Sequence, residues 1–185
     1  AWSNWLLSAF YFTTLALFGT FFIAIGYLTK AGWHVALRRV PEAMTAWLPA
    51  ALVAMLVLGA GMGYIYEWTH VHDDGSHHAH LLHHKSPWLN QWFFLGRIVI
   101  YFGIWILISR ALTSHSRRQD IDGELSHTWA NLRTSAIFGV LFALTMSAAS
   151  FDWLMSLEPT WFSTIFGIYQ FAGLFQGGIA ALIVL

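Results

Sequence analysis

The sequence contains no cysteine, and only 10% of its 185 residues are charged. Without cysteine the chain cannot hold a disulfide, a thiolate-bound iron–sulfur cluster or a covalently attached c-type haem. A soluble domain of this size usually has about a quarter charged residues. With 57% apolar residues instead, the composition predicts an all-α, polytopic transmembrane helix bundle. The net charge is zero and no long basic tract occurs, so we do not expect nucleic acid as a partner.

Five apolar segments are long enough to cross a bilayer. A crossing takes about 20 residues, because an α-helix rises about 1.5 Å per residue through a hydrocarbon core of about 30 Å. The predicted spans of this single transmembrane domain are residues 5–28, 47–66, 88–108, 134–154 and 162–185. Glycine pairs at 59/63 and 173/177 predict close helix packing. Because the last span ends without a polar flank, we expect a chain truncated at its C-terminus, with further spans following.

The distribution of Lys and Arg predicts the orientation of these spans. The connections between spans 1 and 2 and between spans 3 and 4 hold seven Lys/Arg, whereas the other two connections hold only Lys85. Under the positive-inside rule the first pair of connections is cytoplasmic. The His-rich loop at 67–87 and the turn between spans 4 and 5 are then expected on the outer, periplasmic side. Tryptophans concentrated near that boundary agree with this orientation.

Two carboxylates, Asp152 and Glu158, lie in the turn between spans 4 and 5. A carboxylate at the end of an apolar helix is expensive to desolvate, so it tends to face the bundle and find a partner. Such a group can accept or release protons. For Asp152 the functional and structural interpretations both stay open. Glu158, which precedes Pro159, is also compatible with a simple helix start, where a carboxylate interacts favourably with the helix dipole.

Arg97 is the only Lys or Arg inside a predicted span, and Tyr101 follows four residues later, on the same helix face. If the third span begins near Trp88, Arg97 lies about 13 Å inside it. Glu67 or Asp152 could reach it there. An ionisable residue at such a depth is a functional candidate by default, and extension of the side chain to the interface is the alternative.

Seven of the ten histidines lie between residues 70 and 84. Neutral imidazoles bind zinc, copper or nickel, but the spacing matches no closed metal motif, so a solvated loop is the preferred interpretation. The weak metal candidates are His72, His77, His78 and His80. No histidine lies inside a predicted span, which argues against a bis-histidine haem b. We therefore expect no cofactor bound by this chain itself.

Three segments carry a resemblance to a known family. They are 150–169 (SFDWLMSLEPTWFSTIFGIY), 66–70 (YEWTH) and 85–90 (KSPWLN). They resemble the quinone-interacting integral membrane subunits of bacterial alternative complex III, the ActF family, and more distantly the membrane subunits of polysulfide-reductase-type enzymes. The resemblance extends over essentially the whole chain, and the first string is long and specific.

The resemblance implies a multi-pass subunit of a respiratory quinol:electron-acceptor oxidoreductase in the bacterial inner membrane. Such a subunit holds no metal and is not expected to be catalytic alone. Partner subunits carry c-type haem and iron–sulfur clusters, and the acceptor is cytochrome c or a high-potential iron–sulfur protein. Family members have about twice as many spans, arranged as two four-helix bundles.

These observations lead to a hypothesis of quinone contact, a proton path, or both. The candidate residues for quinone or proton handling are Asp152, Glu158, Glu67, His70, Arg97 and Tyr101. In this hypothesis Asp152, paired with Arg97 or His70, belongs to a proton-conducting group. Two alternatives stay open: a purely structural membrane scaffold of the same complex, and a metal transporter whose His-rich loop collects the ion.

Overall fold

The fold is a bundle of long helices. A computed structural model describes residues 1–70 and 82–185, and all regular structure in these two ranges is helical. Five helices are long and apolar enough to cross a membrane: Trp2–Leu28, Arg39–Ile65, Gln91–Asp122, Leu125–Leu157 and Phe166–Val184. The prediction of an all-α bundle with at least five spans is therefore confirmed.

The first two spans and the connection between them contain five α-helices and one 3-10 turn. They are α1 (Trp2–Leu28), α2 (His34–Leu37), α3 (Arg39–Thr45), α4 (Leu48–Val57), a 3-10 turn (Leu58–Gly61) and α5 (Met62–Ile65). The second span is thus α3 to α5, and it changes from α-helix to 3-10 helix and back between α4 and α5. Pro49 lies in the first turn of α4, where its missing N–H has no helical partner to lose.

The other three spans are α6 (Gln91–Asp122), α7 (Leu125–Trp153) and α8 (Phe166–Val184), with 3-10 turns at Glu67–His70 and Met155–Leu157. The Asn90 side chain caps α6 by accepting hydrogen bonds from the backbone N–H groups of Trp92 (3.0 Å) and Phe93 (3.4 Å). An asparagine at this position satisfies donors that the first helical turn leaves unpaired. The cap thereby fixes where the helix that carries Arg97 begins.

Helices α6 and α7 extend well beyond the predicted spans at 88–108 and 134–154. They form a helical hairpin that turns at Gly123, whose φ of 69° is left-handed and whose N–H donates to the Gln119 carbonyl at 2.9 Å. Glycine adopts this conformation without steric cost. Hydropathy marks the part of a helix that lies in lipid, whereas the polar residues 109–133 continue the same two helices.

Helix α1 lies at the centre of the bundle and packs against α3, α4, α6, α7 and α8. Large aromatic side chains fill the space between these helices, and Phe18, Phe102, Trp105 and Trp153 are all buried. Of the glycine pair at 173/177, only Gly177 meets a neighbour in the described ranges: Leu15 Cδ2 lies 3.9 Å from a Cβ placed there, whereas no atom comes within 4 Å of one placed at Gly173. Gly178 packs against Phe18 instead.

Candidate functional site

The carboxylate of Asp152 lies in the last turn of α7 and is 1% exposed. Arg97, on α6 and 4% exposed, forms a two-point ion pair with it. Its Nε donates to Oδ2 at 2.7 Å and its Nη2 donates to Oδ1 at 3.0 Å. This bidentate geometry is the strong form of an arginine–carboxylate contact.

Two further donors complete the coordination of Asp152. The Tyr101 hydroxyl donates to Oδ2 at 2.8 Å, and the Trp88 indole N–H donates to Oδ1 at 2.9 Å. Each carboxylate oxygen therefore accepts two hydrogen bonds. An ionised carboxylate has about four acceptor positions, so these donors satisfy Asp152 fully. We call Trp88, Arg97, Tyr101 and Asp152 the Asp152 cluster.

Aromatic rings surround the guanidinium of Arg97. Its Cζ lies 4.4 Å from the centre of the Trp88 ring and 4.5 Å from that of Phe93, distances at which the ring face attracts a cation. Its Nη1 also donates to the Trp88 carbonyl at 2.9 Å. The side chain therefore turns into the bundle. It does not extend to the membrane surface, as the alternative interpretation of the sequence predicted.

A cavity of about 380 Å³ opens beside the Asp152 cluster. Its walls are mostly apolar and aromatic, with a few polar groups among them. The lining residues are His84, Lys85, Pro87, Trp88, Leu89, Phe151, Asp152, Met155, Ser156, Pro159, Trp161 and Phe162. The volume and the character of the walls are typical of a site for a small organic molecule. We call this space the Asp152 cavity.

None of the other predicted residues is among the hydrogen-bond donors to Asp152 in the described ranges. His70 is exposed, and its Nε2 lies 2.9 Å from the Gly63 carbonyl oxygen. Glu158 is exposed and accepts a hydrogen bond from the Thr160 hydroxyl at 3.0 Å, and Glu67 is exposed in the 3-10 turn. Because the four donors to Asp152 come from Trp88, Arg97 and Tyr101, the expected alternative of a pair with His70 is wrong.

A second cluster of charges lies at the opposite end of the bundle and was not predicted. Buried Glu42 in α3 contacts both neighbouring arginines, at 3.6 Å from Arg38 and in a shorter contact with Arg39, and it accepts a hydrogen bond from Ser116 of α6. Both arginines also contact Asp120 near the end of α6. We call Arg38, Arg39, Glu42, Ser116 and Asp120 the ionic cluster, and this end of the molecule the basic end.

The ionic cluster had a signal in the sequence. Arg38 and Arg39 precede Glu42 by four and three residues, the two spacings at which helical side chains become neighbours. The contribution of Asp120, 82 residues from Arg38, depends on the packing of α6 against α3. Hydropathy analysis gives no information on that contact.

His34 is buried beside the ionic cluster at 2% exposed, with its ring 5.2 Å from that of Tyr27. Burial lowers the pKa of His34, the nearby Arg38 lowers it further, and Glu42 opposes the shift. The protein therefore favours the neutral form of this imidazole more than water does.

Metal binding has no support in residues 1–70 and 82–185, where no group of three or more His, Cys, Asp or Glu could hold an ion. The four weak candidates, His72, His77, His78 and His80, lie outside these ranges.

Comparison with known proteins gives no assignment. No model of a protein family matches the chain, and no curated protein matches it.

Proposed function

We propose that the chain is an integral membrane subunit of a respiratory quinol:electron-acceptor oxidoreductase and that it contacts the quinone in the Asp152 cavity. The observation that carries the proposal is the cavity itself, an apolar space of about 380 Å³ whose wall includes a carboxylate with an ion-pair partner. A quinone ring is flat, and it is apolar except at its two oxygens. Such a ligand requires aromatic walls and a polar group at one edge.

The walls of the cavity meet these requirements. Trp88, Phe151, Trp161 and Phe162 provide aromatic surface, and Asp152 provides the polar edge. Trp88 lines the cavity and also donates to Asp152 Oδ1. A quinol hydroxyl can replace the indole as the donor to that oxygen. The O–H group of the quinol then points at the Asp152 carboxylate when the quinol is oxidised. Binding of the quinol in this way exchanges one hydrogen-bond donor of Asp152, the Trp88 indole, for the quinol hydroxyl.

A proton path through the chain is the second part of the proposal. Buried hydroxyl groups follow one face of α6 from Tyr101 through Ser109 to Ser116, a distance of roughly 22 Å along the helix. Ser109 lies 2.6 Å from the Thr20 hydroxyl of α1, and Ser116 donates to Glu42. These groups lie between the two buried carboxylates, one at each end of the bundle.

The proposed complex has partners that supply the redox chemistry. Haem c and iron–sulfur clusters belong to partner subunits in this proposal, because the chain has no cysteine to hold them. Its place is the bacterial inner membrane, with the Asp152 cavity toward the periplasmic side. The chain contributes the membrane part of the quinone site.

The test fills the cavity in the native complex without touching a charge. Met155 lines the cavity, whereas Leu144 on α7 is 65% exposed on the outside of the bundle. We expect Met155→Trp to raise the KM for a short-chain quinol and to reduce the quinone that copurifies, whereas the control Leu144→Trp changes neither. Unchanged KM and quinone content in Met155→Trp would overturn quinone contact.

A structural scaffold is the competing function, and one observation favours it. The Asp152 cluster joins α6, α7 and the segment before α6 through four hydrogen bonds, an arrangement that stabilises a bundle without any ligand. The scaffold predicts that Met155→Trp affects only the yield of assembled complex. The activity of each assembled complex would then equal that of the wild type.

The proton path has its own test. Thr20→Val combined with Ser109→Ala removes the hydroxyl pair midway along α6 while leaving both carboxylates in place. In liposomes containing the complex, we expect fewer protons moved per quinol oxidised, with the quinol oxidation rate retained. An unchanged ratio of protons to electrons would exclude this path.

A further inference from the structure

Two arginines on α6 have no partner in the described parts of the chain. Arg110 and Arg117 are both exposed, and neither side chain makes an ion pair or hydrogen bond with residues 1–70 or 82–185. Seven residues separate them, which is about two helical turns, or roughly 10 Å along one helix face. They differ from Arg38, Arg39 and Arg97, each of which contacts a carboxylate.

These arginines line one groove, a space of about 280 Å³ between α6 and the second span. The remaining lining residues are Glu42, Thr45, Ala46, Leu48, Pro49, Ile106, Ser109 and Thr113. Leu48, Pro49 and Ile106 form an apolar wall on the side of Arg110 that faces the membrane interior. The groove therefore has a basic half and an apolar half.

The groove carries a net positive charge. Glu42, its one carboxylate among the lining residues, already contacts Arg38 and Arg39 and accepts from Ser116. The ionic cluster contains two arginines and two carboxylates, so its charges balance. Arg110 and Arg117 consequently add two uncompensated positive charges to the groove.

The depth of the two arginines matches the layer of lipid phosphates. From the start of α6 at Gln91, a hydrocarbon core of about 30 Å extends roughly 20 residues, which places Arg110 at its far edge. Arg117 lies roughly 10 Å further on, beyond a headgroup layer about 5–7 Å thick. By this estimate the phosphate layer falls between the positions of Arg110 and Arg117 along the helix.

We propose that this groove binds an anionic phospholipid, with a phosphate between Arg110 and Arg117 and an acyl chain along Leu48, Pro49 and Ile106. Arginine binds phosphate through its planar fork of donors, and basic pockets between membrane helices bind anionic headgroups. The apolar wall distinguishes a lipid from a free anion as the occupant. This inference is independent of the proposed quinone contact.

Native mass spectrometry of the purified full-length protein tests the proposal with two lipids that differ in headgroup charge. We expect dioleoyl phosphatidylglycerol to bind about tenfold tighter than dioleoyl phosphatidylcholine. Arg110→Gln combined with Arg117→Gln should remove this preference. The control removes the same charge elsewhere, with Arg118→Gln and Arg133→Gln, two exposed arginines outside the groove, and should retain the preference.

Two further variants keep the test decisive if the double glutamine variant does not fold. Arg110→Lys with Arg117→Lys keeps both charges and should keep most of the preference. Ile106→Trp keeps both arginines but obstructs the apolar wall, and should weaken phosphatidylglycerol binding severalfold. Equal loss in the control pair, full binding in Ile106→Trp, or displacement of the lipid by millimolar inorganic phosphate would overturn the proposal.

Discussion

The Asp152 cluster and the ionic cluster are two buried arrangements of charge at opposite ends of one bundle. The Asp152 cluster has one guanidinium and one carboxylate, both almost fully buried, and its other donors are neutral. The ionic cluster has two of each, and the Asp120 side chain is 48% exposed. Charge in the first cluster therefore depends on a single partner, whereas charge in the second is shared and partly solvated.

This difference gives the two ends different responses to the loss of one contact. A single ion pair beside a cavity can respond to a ligand, because replacing one hydrogen-bond donor changes the whole environment of the carboxylate. A four-membered network resists such a change, since each ion keeps a second partner when one contact breaks. Substitutions at each end test this contrast.

The largest expected effect comes from Asp152→Asn. The substitution leaves the Arg97 guanidinium buried without a carboxylate, and breaking a buried pair in this way costs about 3–5 kcal/mol in the free energy of unfolding. Reversible unfolding in bicelles measures it. Arg97→Met combined with Asp152→Leu removes both charges and should cost clearly less. Equal losses in the single and double variants would contradict the view that the unpaired charge dominates.

A smaller loss is expected from Glu42→Gln, at the other end. Arg38 and Arg39 keep their contacts with Asp120, so the substitution weakens hydrogen bonds to charged groups without isolating an ion. We expect about 1.5–3 kcal/mol. Asp120→Asn, at a half-exposed position, should cost no more than about 1 kcal/mol. The same unfolding assay checks both, and a loss in Glu42→Gln above that of Asp152→Asn would reverse the comparison.

Asn90→Ala should destabilise the Asp152 end by about 1 kcal/mol, because it removes the side-chain acceptor for two backbone N–H groups at the start of α6. Asn90→Asp keeps an acceptor and serves as the control. Hydrogen exchange of the first turn of α6 measures the local effect. Identical exchange in the two variants would show that the cap does not hold this end of the helix.

The smallest effect is a pH dependence at the basic end. Because the pKa of His34 is lower in the folded protein than its usual 6.5, protonation favours the unfolded chain. Its contribution is present above about pH 6.5 and is lost as the pH falls below that value, by at most about 1.4 kcal/mol per pH unit. Lys30 and Arg38 line the same cavity as His34. The charge of Glu42 acts on His34 in the opposite direction and raises its pKa.

Unfolding of the wild type and of His34→Gln at pH 7.5 and pH 5.5 measures this contribution. Any contribution from the other histidines is common to both proteins and cancels in the difference. The wild type should lose more stability than the variant on acidification. A variant that loses as much as the wild type would show that His34 is not held neutral.

The five spans could be predicted from the sequence because apolar length decides whether a helix can cross a bilayer. The prediction of Arg97 and Tyr101 on one face also follows from helical geometry, and both residues contact Asp152. The choice between Glu67 and Asp152 as the partner of Arg97 could not be made. It depends on how α6 is rotated against α7, which is decided by packing among many side chains.

Trp88 was the residue of the cluster that sequence analysis missed as a donor. A tryptophan at a membrane boundary is explained by the interface alone, so nothing in its position indicated a bond to a carboxylate 64 residues away. The ends of α6 and α7 were misjudged for another reason. Polar residues that leave the membrane can continue a helix when a neighbouring helix continues beside them.

The length of the α6–α7 hairpin has a geometric consequence for anything that approaches the basic end. Helix α6 has 32 residues, or about 48 Å, so roughly 18 Å of it extends beyond a hydrocarbon core of about 30 Å. A tight turn at Gly123 closes the tip. The hairpin therefore projects beyond the hydrocarbon core. A soluble protein that docks at this end contacts the tip of the hairpin before the protein reaches the lipid surface.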